Sequence, residues 1–219
     1  MYNASVIPSS SILSGLNPPQ REAVETTSGP VLIIAGPGSG KTRVITHRIA
    51  YLVDQCGVSP SGIAALTFTN KAAREMRHRL HTLVNMRDQD LTVSTFHSFC
   101  AMILRKEGSN IGLKQSFAIY DDADQLALLK RSMQETNIDS KQFSVRTVQS
   151  KISGVKSQLS TVNGSDLTPE SYFDEIILRI YERYQELLSQ SSAVDFDDLL
   201  LKTYFLLDRF PEVAKRYQN

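Results

Sequence analysis

VLIIAGPGSGKT, residues 31–42, is the stretch of sequence that decides the fold. A short, continuous apolar run at residues 31–35 leads into glycines, a pattern that predicts a buried parallel strand. Apolar residues recur at helical spacing beyond the glycines, so a helix is predicted from Lys41 to about Asp54. The phosphate-loop pattern G-x-x-x-x-G-K-[ST] is matched in full by Gly36, Pro37, Gly38, Ser39, Gly40, Lys41 and Thr42. The stretch therefore predicts a nucleotide site between a strand and a helix.

The residue types in this loop suit phosphate chemistry. Glycines allow backbone N–H groups to curl around phosphate oxygens, and the helix start presents its positive dipole end. Lys41 is expected to reach the β- and γ-phosphates, and the Thr42 hydroxyl is expected to hold Mg²⁺. The bland alternative is a glycine-rich turn with no ligand, which the strand–loop–helix context disfavours.

Two further strands are predicted in the first half of the chain, at residues 62–68 (GIAALTF) and 91–95 (LTVST). Thr69 and Asn70 are good helix-capping types and precede a basic helix, while another helix is predicted from Phe96 to Lys106. Strands that alternate with helices through short links predict a parallel α/β sheet with right-handed crossovers.

After Gly108 the pattern predicts helices without strands. Helix starts are predicted at Asp121, Asp122 and Asp124, at Thr168-Pro169-Glu170, and at Asp195 and Asp198. The last of these helices is predicted to run from Leu199 to Asp208. An α/β domain is therefore interrupted or followed by a helical region.

The composition is that of a soluble globular protein, with 41% hydrophobic and 21% charged residues among 219. No apolar run approaches the ~20 residues that span a bilayer, so no membrane partner is predicted. Residues 1–15 lack the features of a signal peptide and are expected to be a flexible leader. The two cysteines fit a reducing cytoplasm. Residues 1–106 carry a net charge of +5 and residues 107–219 carry −4, so the first half suits an anionic partner, although a solvated surface explains the difference equally well.

Five blocks of sequence, in the same order, resemble superfamily 1 DNA helicases of the UvrD/Rep/PcrA type. They are LNPPQREAV (16–24), AGPGSGKTR (35–43), ALTFTNKAAREMRHRL (65–80), VSTFHSFCAMILR (93–105) and AVDFDDLL (193–200), which resemble the Q motif, motifs I, Ia and Ib, and the segment that returns the chain to the first motor domain. The resemblance implies an α/β fold: a P-loop (RecA-like) parallel-sheet motor domain, incomplete, with an all-helical insertion. It implies a motor domain at 16–106, an insertion at 107–190 and a return to the motor domain at 191–219. A related helicase–nuclease branch shares this pattern.

The resemblance also implies roles for individual side chains. Gln20 would read the adenine of ATP through its amide, and the Arg43 guanidinium would lie against that base. Phe68 would stack on a DNA base. Hydrogen bonds to single-stranded DNA would come from Thr67, Thr69, Asn70, Thr95 and His97.

Each role has a simpler alternative that the sequence leaves open. Gln20 could cap a helix, Phe68 could belong to the core, and His97 could be a satisfied histidine at a helix start. Arg74, Arg77 and Arg79 could form only a solvated helix face.

The implied insertion contacts duplex DNA ahead of a fork in members of this family. Lys141, Arg146, Lys151 and Lys156 recur every five residues in it, a spacing that does not make a helical face. They are interpreted as a loose phosphate-contact strip or, preferably, as a solvated loop.

The resemblance further implies a Mg²⁺-binding Asp-Glu pair at a strand end after the DFDDLL segment, and an arginine in a second motor domain. The Asp-Glu pair present, Asp174-Glu175, follows no apolar strand and is rejected for this role. We therefore expect an N-terminal fragment of a cytoplasmic, ATP-dependent 3′–5′ DNA helicase, with ATPase activity near background. The expected partners are single-stranded and fork DNA. A standalone regulatory nucleotide- or DNA-binding module is an alternative, and a small P-loop kinase leaves the motif Ia and Ib blocks unexplained.

Overall fold

The computed structural model describes residues 12–84, 91–140, 142–159, 169 and 171–218. Its helices are α1 (Pro18–Glu25), α2 (Lys41–Asp54), α3 (Asn70–Leu83), α4 (Phe96–Glu107), α5 (Asp122–Glu135), α6 (Val145–Ser157), α7 (Tyr172–Gln190), α8 (Phe196–Arg209) and α9 (Pro211–Gln218). Its strands are β1 (Ala64–Thr67), β2 (Thr92–Thr95), β3 (Ala118–Ile119) and β4 (Ala193–Val194). The described chain divides into two compact units, one ending at Phe96 and the other running from His97 to Gln218.

The N-terminal unit contains the predicted parallel strand pair. β1 and β2 run parallel, with Ala64 opposite Thr92 and Thr67 opposite Thr95. The core that covers this pair draws on both strands and on helices α2 and α3, through Ile49, Ala65, Ala73, Met76, Leu80, Leu91 and Val93. The α/β character predicted for the first half of the chain is confirmed.

The prediction of a strand at residues 31–35 is wrong. These residues form no strand, and their side chains face solvent, with Leu32 86% and Ile34 89% exposed. A β-strand exists only where a neighbour satisfies its backbone N–H and C=O groups. Among the described residues, β1 and β2 pair with each other and no strand pairs with residues 31–35. The apolar run alone therefore does not make a strand here.

Side-chain caps fix where most helices begin. The Asn17 side chain accepts from the backbone N–H of Gln20, the Gln20 side chain accepts from the N–H of Asn17, and this capping box starts α1. Thr69 caps α3 by accepting from the N–H of Ala72. Asp121 starts α5 with a second capping box. These starts follow from residue types that the sequence displays.

Two other starts differ from the prediction. Helix α7 begins at Tyr172 with Ser171 as its cap, while Thr168 and Glu170 lie outside the described residues. Helix α8 begins at Phe196, directly after its cap Asp195, and so precedes the predicted start at Leu199 by most of a turn. A capping carboxylate accepts from the N–H two or three residues ahead, so Asp195 places the helix start immediately after itself.

The C-terminal unit is mainly helical, but the prediction of no strands after Gly108 is wrong at two places. Ala118–Ile119 and Ala193–Val194 form a short parallel pair. Two-residue strands are too short to leave an alternating pattern in the sequence. Helix α7 buries an apolar stripe that includes Ile180, Tyr184 and Leu187 and packs on α5. Within the described ranges, no helix is long and apolar enough to cross a membrane.

The preferred interpretation of the basic strip as a solvated loop is also wrong. Arg146, Lys151 and Lys156 all lie in helix α6, whereas Lys141 is outside the described residues. A helix turns about 100° per residue, so a five-residue spacing rotates successive side chains by about 140°. Arg146 and Lys151 consequently face solvent while Lys156 points into the core, with its side chain 0% exposed.

Candidate nucleotide and nucleic-acid site

The phosphate loop is an exposed turn that ends at the start of α2. Gly38 and Gly40 have φ angles of +77° and +84°, a left-handed conformation that favours glycine. The Lys41 ammonium folds back over the loop and donates to the carbonyl oxygens of Ala35 and Gly36, each at 2.8 Å. Ser39 Oγ donates to the Gly36 carbonyl at 2.7 Å. The loop thus has a defined shape with its lysine at the centre.

This shape fits a phosphate group. A Cβ atom added at Gly36 or Gly38 would meet no atom within 4 Å, so both glycines leave open space. Gly40 precedes α2 without a side-chain cap, which leaves the first N–H groups of the helix for a ligand. Thr42 lies in the first turn, and its hydroxyl is an oxygen ligand of the kind that Mg²⁺ accepts.

Gln20 connects helix α1 to the loop. Its Oε1 takes part in the capping box, and its Nε2 donates to the carbonyl oxygen of Ser39 at 3.0 Å. The capping alternative is therefore correct, and the same amide also contacts the phosphate loop. The adenine role of Gln20 stays a prediction.

Arg43 lies in the first turn of α2. Its Nη2 donates to the Ser14 carbonyl at 3.4 Å, and Ile12, at the end of the predicted leader, is only 1% exposed. The buried His47 lies one turn further along α2, with its Nδ1 2.5 Å from the Ile12 carbonyl oxygen, so its Nδ1–H donates there. Residues 12–15 thus pack along α2 beside Arg43, whose contact with a base stays a prediction.

The predicted DNA-binding side chains of the N-terminal unit lie together at the carboxyl ends of β1 and β2. Thr67 and Thr95 are buried and directly opposite each other in the parallel register. The residue that follows each strand is an exposed phenylalanine. Phe68 is 92% exposed and Phe96 is 42% exposed, and their ring centroids are 5.8 Å apart. The core alternative for Phe68 is wrong, and the carboxyl edge of a parallel sheet is where such folds bind ligands.

The residues after Phe68 begin the basic helix. Thr67 Oγ1 donates to the carbonyl oxygen of Thr69. Thr69 caps α3, and Asn70 is the exposed first residue of that helix. On the same helix Arg74 is exposed and Arg79 pairs with Glu75 at 2.5 Å, as expected for a solvated face. Arg77 departs from that alternative, because its Nε is buried and has no hydrogen-bond partner among the described residues.

Sequence reasoning missed two exposed aromatics. Phe96 lies next to Phe68, and in the C-terminal unit Phe196 meets His97 edge-on with ring centroids 5.7 Å apart. Phe196 is 49% exposed at the first position of α8 and borders an open cleft of about 560 Å³. The signal for both was an aromatic residue directly after a strand or a cap, where the chain turns outward.

A buried ion cluster lies beneath Phe196. Lys156 Nζ is 2.6 Å from Asp195 Oδ2 and 2.9 Å from Asp198 Oδ1, and all three side chains are at most 2% exposed. Burial alone would lower the pKa of Lys156, but the two carboxylates outweigh it and hold that pKa above its ordinary value. Burial would likewise raise the pKa of Asp198, which Lys156 and Lys202 instead hold below its usual range. Lys156 and Asp198 are therefore both charged at neutral pH.

The family follows from a comparison with known proteins. Residues 16–219 match the UvrD/REP helicase N-terminal domain, and the chain belongs to that family. The resemblance carried by the five sequence blocks is thereby confirmed.

Named relatives are helicases from several bacteria. The chain is 46% identical over 211 residues to the ATP-dependent DNA helicase PcrA of Bacillus subtilis (strain 168), an alignment that covers 96% of this chain and 29% of that protein. It is 46% identical over 208 residues to PcrA of Staphylococcus aureus (strain Mu50), with 95% and 28% covered. PcrA of Staphylococcus epidermidis is 45% identical over the same length. The chain thus spans less than a third of the length of these relatives.

Proposed function

We propose that these 219 residues are the N-terminal, ATP-binding part of an ATP-dependent DNA helicase that moves along single-stranded DNA. The observation that carries the proposal is the exposed pair Phe68 and Phe96 at the carboxyl ends of β1 and β2. Neighbouring aromatic side chains that are exposed to solvent are typical of a binding surface, and stacking on bases tolerates any DNA sequence. The same unit holds the phosphate loop, so the nucleotide and the DNA strand would bind to one compact unit.

ATP with Mg²⁺ is the proposed cofactor, and its hydrolysis would supply the free energy for movement. Lys41 would leave the carbonyl oxygens of Ala35 and Gly36 for the β- and γ-phosphates, a charge-assisted contact that favours the phosphates over neutral carbonyls. Thr42 would hold Mg²⁺, and Gln20 and Arg43 would contact the adenine. The parallel pair β1–β2 supports a RecA-like motor domain.

The proposed DNA contacts fall in both units. In the N-terminal unit, Phe68 and Phe96 would stack on bases while Thr67, Thr69, Asn70 and Thr95 hydrogen-bond to the strand. In the C-terminal unit, His97 and the adjacent Phe196 ring would contact the same type of ligand. Helix α6, with Arg146 and Lys151 exposed, would face duplex DNA at a fork.

We infer that the whole protein needs sequence beyond these residues to act as a 3′–5′ helicase, since the chain spans 28–29% of the relatives. We place the motor domain at 16–106, its helical insertion at 107–190 and the return at 191–219. The free thiols Cys56 and Cys100 support a cytoplasmic location.

The central test is single-stranded DNA binding by the Phe68→Ala variant. Loss of one stacked base should raise the Kd for a fluorescent oligo(dT) by about fivefold or more, because stacking is worth ~1–3 kcal/mol per base. Tyr172→Ala is the matched control, since Tyr172 is 73% exposed and lies in the C-terminal unit outside the proposed contacts. Equal affinities of the wild type and Phe68→Ala would contradict the stacking role, and no binding by the wild type would contradict the proposal.

A further inference from the structure

The buried Lys156 has no role in the proposed function so far. We infer that Lys156 is a positioning residue, which fixes the first turn of α8 and so holds Phe196 against His97 for contact with single-stranded DNA. The inference rests on the proposed function for its DNA part. The Lys156 ammonium would thus affect the binding of single-stranded DNA through Phe196, although the ammonium itself does not touch DNA.

The geometry places Phe196 inside the turn that Lys156 holds. Phe196 follows Asp195 and precedes Asp198 by two residues, and the Lys156 ammonium contacts both carboxylates, at 2.6 and 2.9 Å. Asp195 Oδ1 also accepts from the backbone N–H of Asp198 at 2.8 Å, which closes the same turn. The lysine, on α6, therefore clamps both ends of a four-residue segment on α8.

The charges in the cluster make the ammonium necessary. Two buried carboxylates share the contact with the Lys156 ammonium, and within the described residues Asp198 Oδ2 has no hydrogen-bond partner. The other described side-chain hydrogen bonds to the two carboxylates come from uncharged groups: Tyr184 Oη donates to Asp195 at 2.8 Å, and Gln125 and Gln185 donate at 3.3 and 3.2 Å. Lys202 adds a positive charge near Asp198, but Lys156 is the cation that contacts both carboxylates. Neutral donors compensate buried charge weakly, so removing Lys156 drives Asp195 and Asp198 apart or towards water.

Phe196 depends on this clamp more than a core residue would. Its ring is half exposed, and its described ring contact is with His97. A side chain in that position takes its direction from its backbone. Loosening residues 195–198 therefore frees the ring from His97.

A tryptophan probe measures this effect directly, since the chain contains no tryptophan. Phe196→Trp places a single emitter at the site, and its time-resolved anisotropy reports local motion of the side chain. The test variant in this background is Lys156→Met with Asp198→Asn, which removes one charge of each sign. This double variant keeps the test informative if Lys156→Met alone unfolds the C-terminal unit. The matched control is Lys130→Met, since Lys130 is exposed on helix α5 in the same unit and has no part in the proposed DNA contacts.

The expected result is a larger fast-decaying fraction of the tryptophan anisotropy in Lys156→Met/Asp198→Asn, with no change in Lys130→Met. In the chain with native Phe196, the double variant should raise the Kd for oligo(dT) by about fivefold, the lower end of the contribution of one stacked base. Adding Phe196→Ala should then cause no further loss, whereas adding Phe68→Ala should cause its full separate loss. A purely structural role for Lys156 would give losses that add in both cases.

Two results would overturn the inference in a variant that far-UV circular dichroism shows to be folded. One is an unchanged anisotropy of the tryptophan probe, and the other is a loss of DNA affinity that adds fully to that of Phe196→Ala. If the wild type binds no oligo(dT), the proposed function fails instead, and the anisotropy still decides whether Lys156 positions the side chain at position 196.

Discussion

Gly40 links the phosphate loop to helix α1 through its backbone conformation. Its φ of +84° lies in the left-handed region, and a Cβ atom added there would come within 3.0 Å of Gln20 Nε2. That amide nitrogen also donates to the carbonyl oxygen of Ser39. The glycine therefore serves both the turn and the close approach of Gln20.

Gly40→Ala is expected to lower the free energy of unfolding of the N-terminal unit by roughly 1–2 kcal/mol, the cost of a Cβ in the left-handed region. It should also weaken ATP binding, since Gln20 must move. Gly36→Ala is the control in the same loop, because a Cβ there meets no atom within 4 Å and its φ is not left-handed. Urea unfolding of both variants checks the prediction, which is contradicted if the two lose the same stability.

Individual residues differed in how far sequence could place them. The loop glycines and Lys41 could be proposed as a phosphate site because that pattern depends on neighbours within a few positions, whereas the DNA role proposed for Phe68 came from the family resemblance. The burial of Lys156 was not, because its partner Asp195 lies 39 residues further along the chain. The ring contacts of Phe96 and Phe196 were missed for the same reason, since each depends on a residue from another element.

At the scale of elements, helices were more predictable than strands. The starts of α3 and α5 were marked by the capping types Thr69 and Asp121, whose effect is local. A strand is defined by its neighbour, so the apolar run at 31–35 predicted a strand that the described residues do not pair. The pair β3–β4 was missed because its partners are far apart in sequence and only two residues long.

Two buried tyrosines of helix α7 lead us to expect that the stability of the C-terminal unit depends on pH in the alkaline range. Burial and the nearby carboxylates Asp195 and Asp198 raise the pKa of Tyr181 and of Tyr184 above the ordinary value of 10.0. For a group whose pKa is higher in the folded state, its stabilisation is complete below the unfolded pKa and is lost as the pH rises. The relevant window therefore opens at about pH 10.

We expect the C-terminal unit to lose about 1.4 kcal/mol per buried tyrosine between pH 9 and pH 11, because the unfolded phenol ionises and the folded one does not. Urea unfolding followed by far-UV circular dichroism at the two pH values measures the loss. Tyr181→Phe should reduce this loss of stability by about 1.4 kcal/mol, the contribution of one buried tyrosine. Tyr172→Phe, at an exposed position, should leave the loss unchanged. A pH-independent stability over this range would refute the assignment.

For the molecule as a whole, phosphoryl transfer requires more groups than a phosphate loop supplies. Hydrolysis needs a carboxylate to position Mg²⁺ and the attacking water, and an arginine to stabilise the transition state. Asp174 and Glu175 lie in the first turn of helix α7 rather than at the end of a strand. Their position supports their rejection for this role.

We therefore expect the 219-residue chain to bind ATP and to hydrolyse it at a rate near background, with or without oligo(dT). Phosphate release from the wild type and from Lys41→Met should be indistinguishable, whereas ATP affinity should fall in Lys41→Met and stay unchanged in Lys71→Met. DNA-stimulated turnover that Lys41→Met abolishes would show that the chain is catalytically complete.

The exposed run at residues 31–35 affects how the chain behaves in concentrated solution. Four large aliphatic side chains and an alanine stand there without a formal charge or a proline, and among the described residues their backbone groups have no strand beside them. Such a segment is a template on which the same segment of another molecule can add as a strand. Concentration thus becomes an experimental variable for this chain, and its affinities and rates should be measured in dilute solution.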